Sequence, residues 1–404
     1  MLAGIVYLCA VRAILRKPTS LQVRTILLIA LACRLVLIPS QPLFDDDIYR
    51  YIWDGKVFAH GFNPFIHAPA SESLSFLRDA NWAKVNYPDV RTIYPPVAQL
   101  IFGFLHLLGL GSVVGIKVAF LLFDFGTMLA IMRLLDLLGR PRSWVLIYAW
   151  SPLAMKEFAN SGHLEPVILL PLLLAVYCWV RRKPNESIGG VWLGLSAMVK
   201  LFPVLLMPLA FRMGRWKSVG WSMTAMIVLS LPFVGAGSRA FSGAVAYSRY
   251  WEFNDGAFAL LASGERHLFG FGPGTPVWIS KLLVAVIVAA YSIYSVHRLN
   301  PMDRVGVIQT ARNLLALLIL LAPTANPWYV CWLLPFLAVV PNSGLLLLCV
   351  SCNLSYLYYV SLSFPHWIPM LEYLPVYLVL MIEYLRARPL PRRERSLTAG
   401  GSDE

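Results

Sequence analysis

A chain of 404 residues that is 58% hydrophobic and only 14% charged is unlike a soluble domain, in which about 25% of residues are charged. Its apolar runs are continuous and of span length, which excludes a β-barrel, whose strands alternate. The net charge of +13 sits in short loops between those runs, at Arg16 and Lys17, Arg140 and Arg142, Arg181 to Lys183, Arg212 to Lys217 and Arg386 to Arg395. That is the positive-inside pattern of a membrane protein, not the footprint of a nucleic-acid binder.

In chain order, spans are predicted near 2–15, 21–38, 116–136, 143–158, 164–180, 218–235, 276–296, 306–322, 327–341, 343–361 and 368–386, so the fold class is an all-α polytopic membrane protein. The first run is followed by Arg16-Lys17 and a second span, without a small-residue cleavage pattern, and reads as a span and not a signal peptide. Six cysteines, at 9, 33, 178, 331, 349 and 352, all fall in apolar segments and read as packing residues. The basic tail places the C-terminus in the cytoplasm, together with loops 181–187, 212–217, 297–304 and 341–343. Segments 39–96, 159–163, 236–275, 323–327 and 362–367 then face the other side.

Two apolar segments break this alternation. Residues 97–110 are read as a helix at the outer interface, because a crossing there would turn Arg140 and Arg142 outward. Residues 188–211 are long enough to cross, yet both flanks are basic and Lys200 and Pro203 lie in the middle. They are either two half-helices that meet at Lys200-Leu-Phe-Pro203 and return to their own side, or one kinked span. Residues 1–388 form a single transmembrane unit without an internal repeat, 39–115 its outer loop with a juxtamembrane helix, and 389–404 a disordered cytoplasmic tail.

The outer segment 39–96 carries seven carboxylates and five basic side chains, so it is acidic in a strongly basic chain. Most of these charges fit a solvated loop with interfacial aromatic anchors. Asp45, Asp46 and Asp47 need a further reason, because adjacent carboxylates repel and partial burial raises their pKa values. General-base catalysis, metal binding and a solvated helix N-terminus are the three uses weighed. Asn160-Ser-Gly-His163-Leu-Glu165, Lys200 at membrane depth, Arg249 to Asp255 and Asn326-Pro-Trp-Tyr329 fall on the same face.

These motifs carry a resemblance. Asp46-Asp47-Ile-Tyr49-Arg50-Tyr51-x-Trp53-Asp54-Gly55, Gly61-Phe-Asn63-Pro64-Phe65, Thr92-Ile-Tyr94-Pro95-Pro96, Ser161-Gly162-His163-Leu-Glu165, Val199-Lys200-Leu-Phe-Pro203 and Asn326-Pro327-Trp328-Tyr329 together resemble GT-C class glycosyltransferases that use polyprenyl-phosphate sugars. The mannosyltransferase branch is the most similar. The resemblance covers roughly 40 to 385. It implies a GT-C-like fold with about 11–13 transmembrane helices and an acidic motif in the first outer loop. It also implies transfer of a hexose, mannose by preference, from the lipid donor to a lipid or glycan acceptor, with inversion.

Asp46 is then the preferred base and Asp47 the next, while Asp45 is a solvated neighbour. Charge developing on the leaving phosphate calls for positive partners, and Lys200, His163, Arg50 and Arg249 are the candidates. Tyr49, Trp53, Asp54, Asn63, Tyr94, Glu165, Asn326, Trp328 and Tyr329 are the expected substrate-binding residues. The chemistry requires no cofactor, and the acids leave room for a divalent metal without demanding one. The expected partners are the polyprenyl-phosphate sugar, a glycolipid, glycan or protein acceptor, and the bilayer of the inner (plasma) membrane, with the site on its outer face. A transporter or flippase is the rival from another class, but it would be expected to show repeats with paired broken helices. A polymerase or ligase of the O-antigen type would place its large polar loop late in the chain, and here the largest comes early.

Overall fold

The computed structural model describes residues 2–387 apart from 20, 273 and 362–366; the tail expected to be disordered, 389–404, lies outside them. Helices make the architecture, and the β-structure among the described residues is one isolated bridge, Phe253 to Thr324. Among the described residues, six helical stretches are long and apolar enough to cross a membrane: Val113–Leu137, Trp216–Tyr250, Trp278–Arg298, Arg304–Leu321, Ser343–Val360 and Trp367–Arg386. Pro152–Asn160 with Glu165–Val180, bent by 119° at the break, makes a seventh if taken together. Helices α1 (Leu2–Arg16) and α2 (Val23–Leu37), expected as spans, have 15 residues each. That is about 22 Å of helix, short of a bilayer core of about 30 Å.

Side-chain bonds fix how the segments run. Ser143 Oγ donates to the Pro18 carbonyl at 2.6 Å, and Asn160 Nδ2 donates to Ser40 Oγ at 2.7 Å. Residues 142–160 therefore run the length of α2 in short helical pieces. Arg34 of α2 and Asp124 of α5 (Val113–Leu137) are both fully buried and form an ion pair. Arg34 also donates to the Ala149 carbonyl at 2.8 Å, and Tyr148 Oη donates to Asp124 at 2.7 Å. One buried pair thus pins three segments, which fits the rule that charges at membrane depth are paired within the bundle.

The 188–211 question is settled by direction. The helix Glu186–Ala197 and the helix Trp216–Ser230 run side by side the same way, Ser222 Oγ donating to the Gly190 carbonyl at 2.9 Å and Ser230 Oγ meeting Met198 Sδ at 3.7 Å. Gly190 and Gly194 face this contact, the small-residue spacing that lets helices approach closely. Arg215 Nη1 lies 3.8 Å from Glu186 Oε1. Phe202–Arg212 thus carries the chain back to the end it left, which is the half-helix arrangement. A kinked span would have left Arg212 at the opposite end.

Basic loops gather at that end. Arg140 donates to the Val339 carbonyl at 2.5 Å, Arg212 to the Val296 carbonyl at 3.1 Å, and Asn342 to Glu383 at 2.6 Å. The acidic segment lies at the other end. There α3 (Asp47–Ala59) packs along α4 (Pro96–Leu107), the segment expected at the interface. Tyr51 stacks on Phe102 at 4.8 Å and meets Tyr94 edge-on at 5.1 Å. Such aromatic pairs add about 0.5–1.5 kcal/mol each beyond area burial.

Candidate active site

The three aspartates part company because the chain turns sharply just before them. Phe44 has φ +61°, a left-handed conformation that a bulky side chain rarely adopts. Asp45 Oδ1 then accepts from the Asp47 backbone N–H at 2.8 Å, closing the turn that opens α3. Asp45 points inward and its side chain is only 5% exposed. Asp46 faces outward and Asp47 lies between. Asn86 Nδ2 donates to Asp46 at 2.7 Å and to Asp47 at 2.9 Å, joining the two carboxylates.

Asp45 is therefore no solvated neighbour: its Oδ2 lies 2.7 Å from His163 Nε2. His163 reaches it because residues 155–160 wind as a π-turn and Gly162 then takes φ +75°. π-Turns are frequent at functional sites. A side chain at Gly162 would collide with Ile48 Cδ1 at 2.5 Å. The imidazole also lies 3.4 Å from Glu157 Oε2 and 3.9 Å from Asp47 Oδ2, and Trp328 stacks on it at 4.1 Å.

The electrostatics follow from this packing. Burial pushes Asp47 up and the charge of Asp45 adds to it, outweighing His163 and Asn86, so its carboxyl stands at about 7. Burial likewise raises Asp46 against the Asn86 hydrogen bond. For His163, burial opposes the charged form, but the Asp45 carboxylate beside it, with Glu157 and Glu165, prevails and holds the imidazole at about 9. Burial would lift Asp45 too, yet the imidazolium outweighs it and keeps Asp45 low. At neutral pH the arrangement is an Asp45–His163 ion pair beside a carboxyl poised to titrate.

Asp45, Asp47 and His163 each offer a ligand atom within 4.8 Å of the others, a donor set that fits a divalent cation when the imidazole is neutral. Without a cation, the charged imidazole stands beside the carboxylates in its place.

Of the expected residues, Asp47, His163 and Trp328 adjoin one another, and Asn86 ties Asp46 to Asp47. Lys200, at the chain reversal, lies 2.9 Å from the buried Glu165 and over the rings of Tyr329 (4.0 Å) and Trp332 (5.3 Å). Tyr329 shares a 2.7 Å hydroxyl contact with Tyr247. Asn326 immediately precedes the helix that carries Trp328 and Tyr329, without a side-chain capping bond. An apolar pocket of about 190 Å³ opens behind these rings, lined in part by Tyr247, Trp251, Tyr329 and Trp332.

Other expected residues serve elsewhere. Arg50 donates through Nε to Asp54 at 2.9 Å and through Nη2 to the Val90 carbonyl at 2.9 Å, so it braces the loop that carries Asn86. Asp54 is buried between Arg50 and Gln99. Arg249 is exposed and lies over Tyr250 at 5.2 Å, on a surface shared with Glu265 and Phe269, and no contact joins it to the carboxylates among the described residues. Trp53 and Tyr94 are core residues under α3, and Tyr49 is buried with Lys84 over its ring. Asn63 folds its own turn by accepting from the Phe65 N–H at 3.0 Å. His163 itself is 1% exposed and covered by Trp328, so it holds carboxylates and is closed to a phosphate.

Sequence reasoning missed Asn86, Lys156, Glu157 and Tyr356. Glu157 is fully buried, contacts His163 and accepts from Tyr356 Oη. Lys156 lies 3.3 Å from Glu157 and donates to Tyr356 at 2.7 Å. A Lys-Glu pair inside an apolar run was the available signal, since ionisable groups there are rarely incidental.

Comparison with known proteins agrees with this picture. Residues 1–214, more than half the chain, match the family model described as alpha-(1->6)-mannopyranosyltransferase, N-terminal domain. Over 261 residues the chain is 26% identical to the polyprenol-phosphate-mannose-dependent alpha-(1-2)-phosphatidylinositol pentamannoside mannosyltransferase of Mycolicibacterium smegmatis, covering 60% of this chain and 59% of the relative. It is 28% identical over 97 residues to GPI mannosyltransferase 1 of Candida albicans, covering 23% and 24%. The chain thus spans less than two thirds of either relative, and no solved structure matches it. With helices that suit a multi-pass membrane protein and a family match over more than half its length, the chain belongs to the alpha-(1->6)-mannopyranosyltransferase family.

Proposed function

We propose that this protein is a membrane mannosyltransferase that moves mannose from a polyprenyl-phosphate donor to a hydroxyl of a lipid or glycan acceptor, with inversion at the anomeric carbon. The observation that carries this reading is the Asp46–Asp47 pair, tied by Asn86 and backed by the buried Asp45–His163 pair, at the end of the bundle away from the basic loops. By the positive-inside rule those loops lie in the cytoplasm and the site on the outer face of the inner membrane.

In this reaction the acceptor oxygen attacks the anomeric carbon from the side opposite the phosphate, its proton passes to a carboxylate, and the polyprenyl phosphate departs. Asp46, the outward carboxylate, takes the proton. Asp47, at about 7, sits close enough to the working pH to share that task. Lys200 is the cation that faces the leaving phosphate, and the apolar pocket beside Tyr329 and Trp332 receives the first isoprene units. The chemistry requires no metal, because a phosphate monoester is already a good leaving group, and the acids leave room for one.

The test is transfer of radiolabelled mannose from polyprenyl-phosphate mannose in membranes that carry the wild type or Asp46→Ala. The variant should insert normally and lose about 100-fold or more of the activity, the usual contribution of a positioned base. Wild-type turnover by Asp46→Ala would remove the base assignment. Wild-type membranes that carry the lipid across but transfer no sugar would favour a transporter.

A further inference from the structure

Asp46 adjoins a run of aromatic side chains, of which the proposed reaction uses only Trp251, in the wall of the apolar pocket. Phe44, two residues before it, stacks with Tyr359 at 6.1 Å and 21°. Tyr359 meets Phe253 at 6.3 Å. Two residues before Phe253, Trp251 meets Tyr87 edge-on at 4.6 Å. Tyr87 follows Asn86, which donates to Asp46 and so closes the circuit. The collar is assembled from three distant parts of the chain. The close approach of the Ser242–Tyr250 helix to the first outer loop makes this assembly feasible. A side chain at Gly243 would lie 2.4 Å from the Thr92 carbonyl and 2.5 Å from that of Arg91.

The backbone at this collar is strained. Among the described residues, the non-glycine positions with positive φ are Phe44 (+61°), Tyr87 (+45°) and Asn254 (+51°), and all three belong to the collar or adjoin it. Such conformations cost of order 1–3 kcal/mol each and persist where the surroundings enforce them, typically at ligand sites. Tyr87 is also 57% exposed, a ring held in an unfavourable turn and facing outward. Its edge-on contact with Trp251 leaves the rest of the ring open.

We propose that the collar is the subsite for a neutral pyranose ring of the acceptor, with Tyr87 and Trp251 as its specificity-determining residues. The idea rests on the reading that Asp46 receives the proton of an acceptor hydroxyl. A pyranose has apolar C–H faces and a polar rim. The faces pack on the electron-rich faces of aromatic rings, and the rim needs hydrogen-bond partners at the edge. The collar supplies both, aromatic walls around an outward carboxylate and an amide. A simple lipid alcohol has no ring to fill the walls, and carboxylates at the floor repel a phosphorylated group.

The probe is octyl α-D-mannopyranoside, compared with octane-1,2-diol as a sugar-free control, and binding to the purified full-length protein is read by saturation-transfer NMR without any donor. The wild type should bind the mannoside at least tenfold more tightly than the diol. Tyr87→Ala and Trp251→Ala should each weaken it at least tenfold, Tyr87→Phe should restore it, and Phe76→Ala, an exposed aromatic in the same loop away from the collar, should leave it unchanged. Trp251→Phe, which keeps a ring if Trp251→Ala fails to fold, should bind within threefold of the wild type. Equal binding of mannoside and diol, or unaltered binding by Tyr87→Ala, overturns the subsite. A wild type that binds the mannoside but takes no label from polyprenyl-phosphate mannose supports the subsite and refutes the transfer reading instead.

Discussion

Replacing Asn86 by alanine should move the acid limb of the pH–rate profile upward, and the structure gives the size of the shift. The Asn86 amide donates to Asp46 at 2.7 Å and to Asp47 at 2.9 Å. Hydrogen bonds to a charged group are worth about 1.5–3 kcal/mol net, and one pKa unit is about 1.4 kcal/mol. A donor to one carboxylate alone would therefore hold its pKa down by about one to two units. Here two carboxylates share the amide and water can replace part of it, so a shift of about one unit is expected for Asp47, from about 7 to about 8. The ionised fraction at pH 7 then falls from about one half to about one tenth, a loss of about fivefold in kcat/KM. At pH 8.5 the loss shrinks to less than about 1.5-fold. The assay is kcat/KM for sugar transfer from pH 5.5 to 8.5 in the two proteins. A loss of equal size at every pH would mean that Asn86 only holds the loop. An unmoved limb would mean that the carboxylates it bonds do not govern the rate.

His163 makes a stability prediction of opposite sign. Its folded pKa of about 9 exceeds the ordinary 6.5, so its contribution is complete below about 6.5 and is lost as pH rises through 9. The thermal midpoint of the wild type should fall between pH 7 and 10 more steeply than that of His163→Gln, and parallel curves would refute the ion pair. Lys200→Ala should raise the KM for the lipid donor by about tenfold or more, the worth of a charge-assisted hydrogen bond. Because it also strands the buried Glu165, the double variant Lys200→Met with Glu165→Gln is the control; an unchanged donor KM in both would discard Lys200 as the phosphate partner. Arg34→Met should cost about 3–5 kcal/mol by leaving Asp124 buried and unpaired, and the added change Asp124→Leu should recover most of it. Detergent thermal unfolding reads both, and a double variant as unstable as the single one would contradict the buried-pair account.

What was legible and what was not divides along one physical line. Apolar run length, proline at a chain reversal and the distribution of lysine and arginine are properties of local sequence. They suffice to mark a helical membrane chain and one acidic end opposite a basic one, and they leave the segment around Lys200-Leu-Phe-Pro203 open between a return and a kinked span. The motif series pointed to the family that residues 1–214 match.

Burial of individual charges is not a local property. Nothing in three consecutive aspartates says which one turns inward. That was decided by the left-handed turn at Phe44 and by a histidine more than a hundred residues away. The same holds for Arg50 and Arg249, cations of the right type whose fates depend on Asp54, the Val90 carbonyl and Tyr250. Glu157 was hidden because an apolar run disguised it, and only packing against His163 and Tyr356 revealed it. The sequence by itself determined the membrane-helix class, the polarity of the bundle and the stretch where carboxylates collect. The tertiary structure alone decided which carboxylate is paired, which is raised toward neutrality and which faces outward, because a pKa is set by neighbours in space and the chain order does not name them.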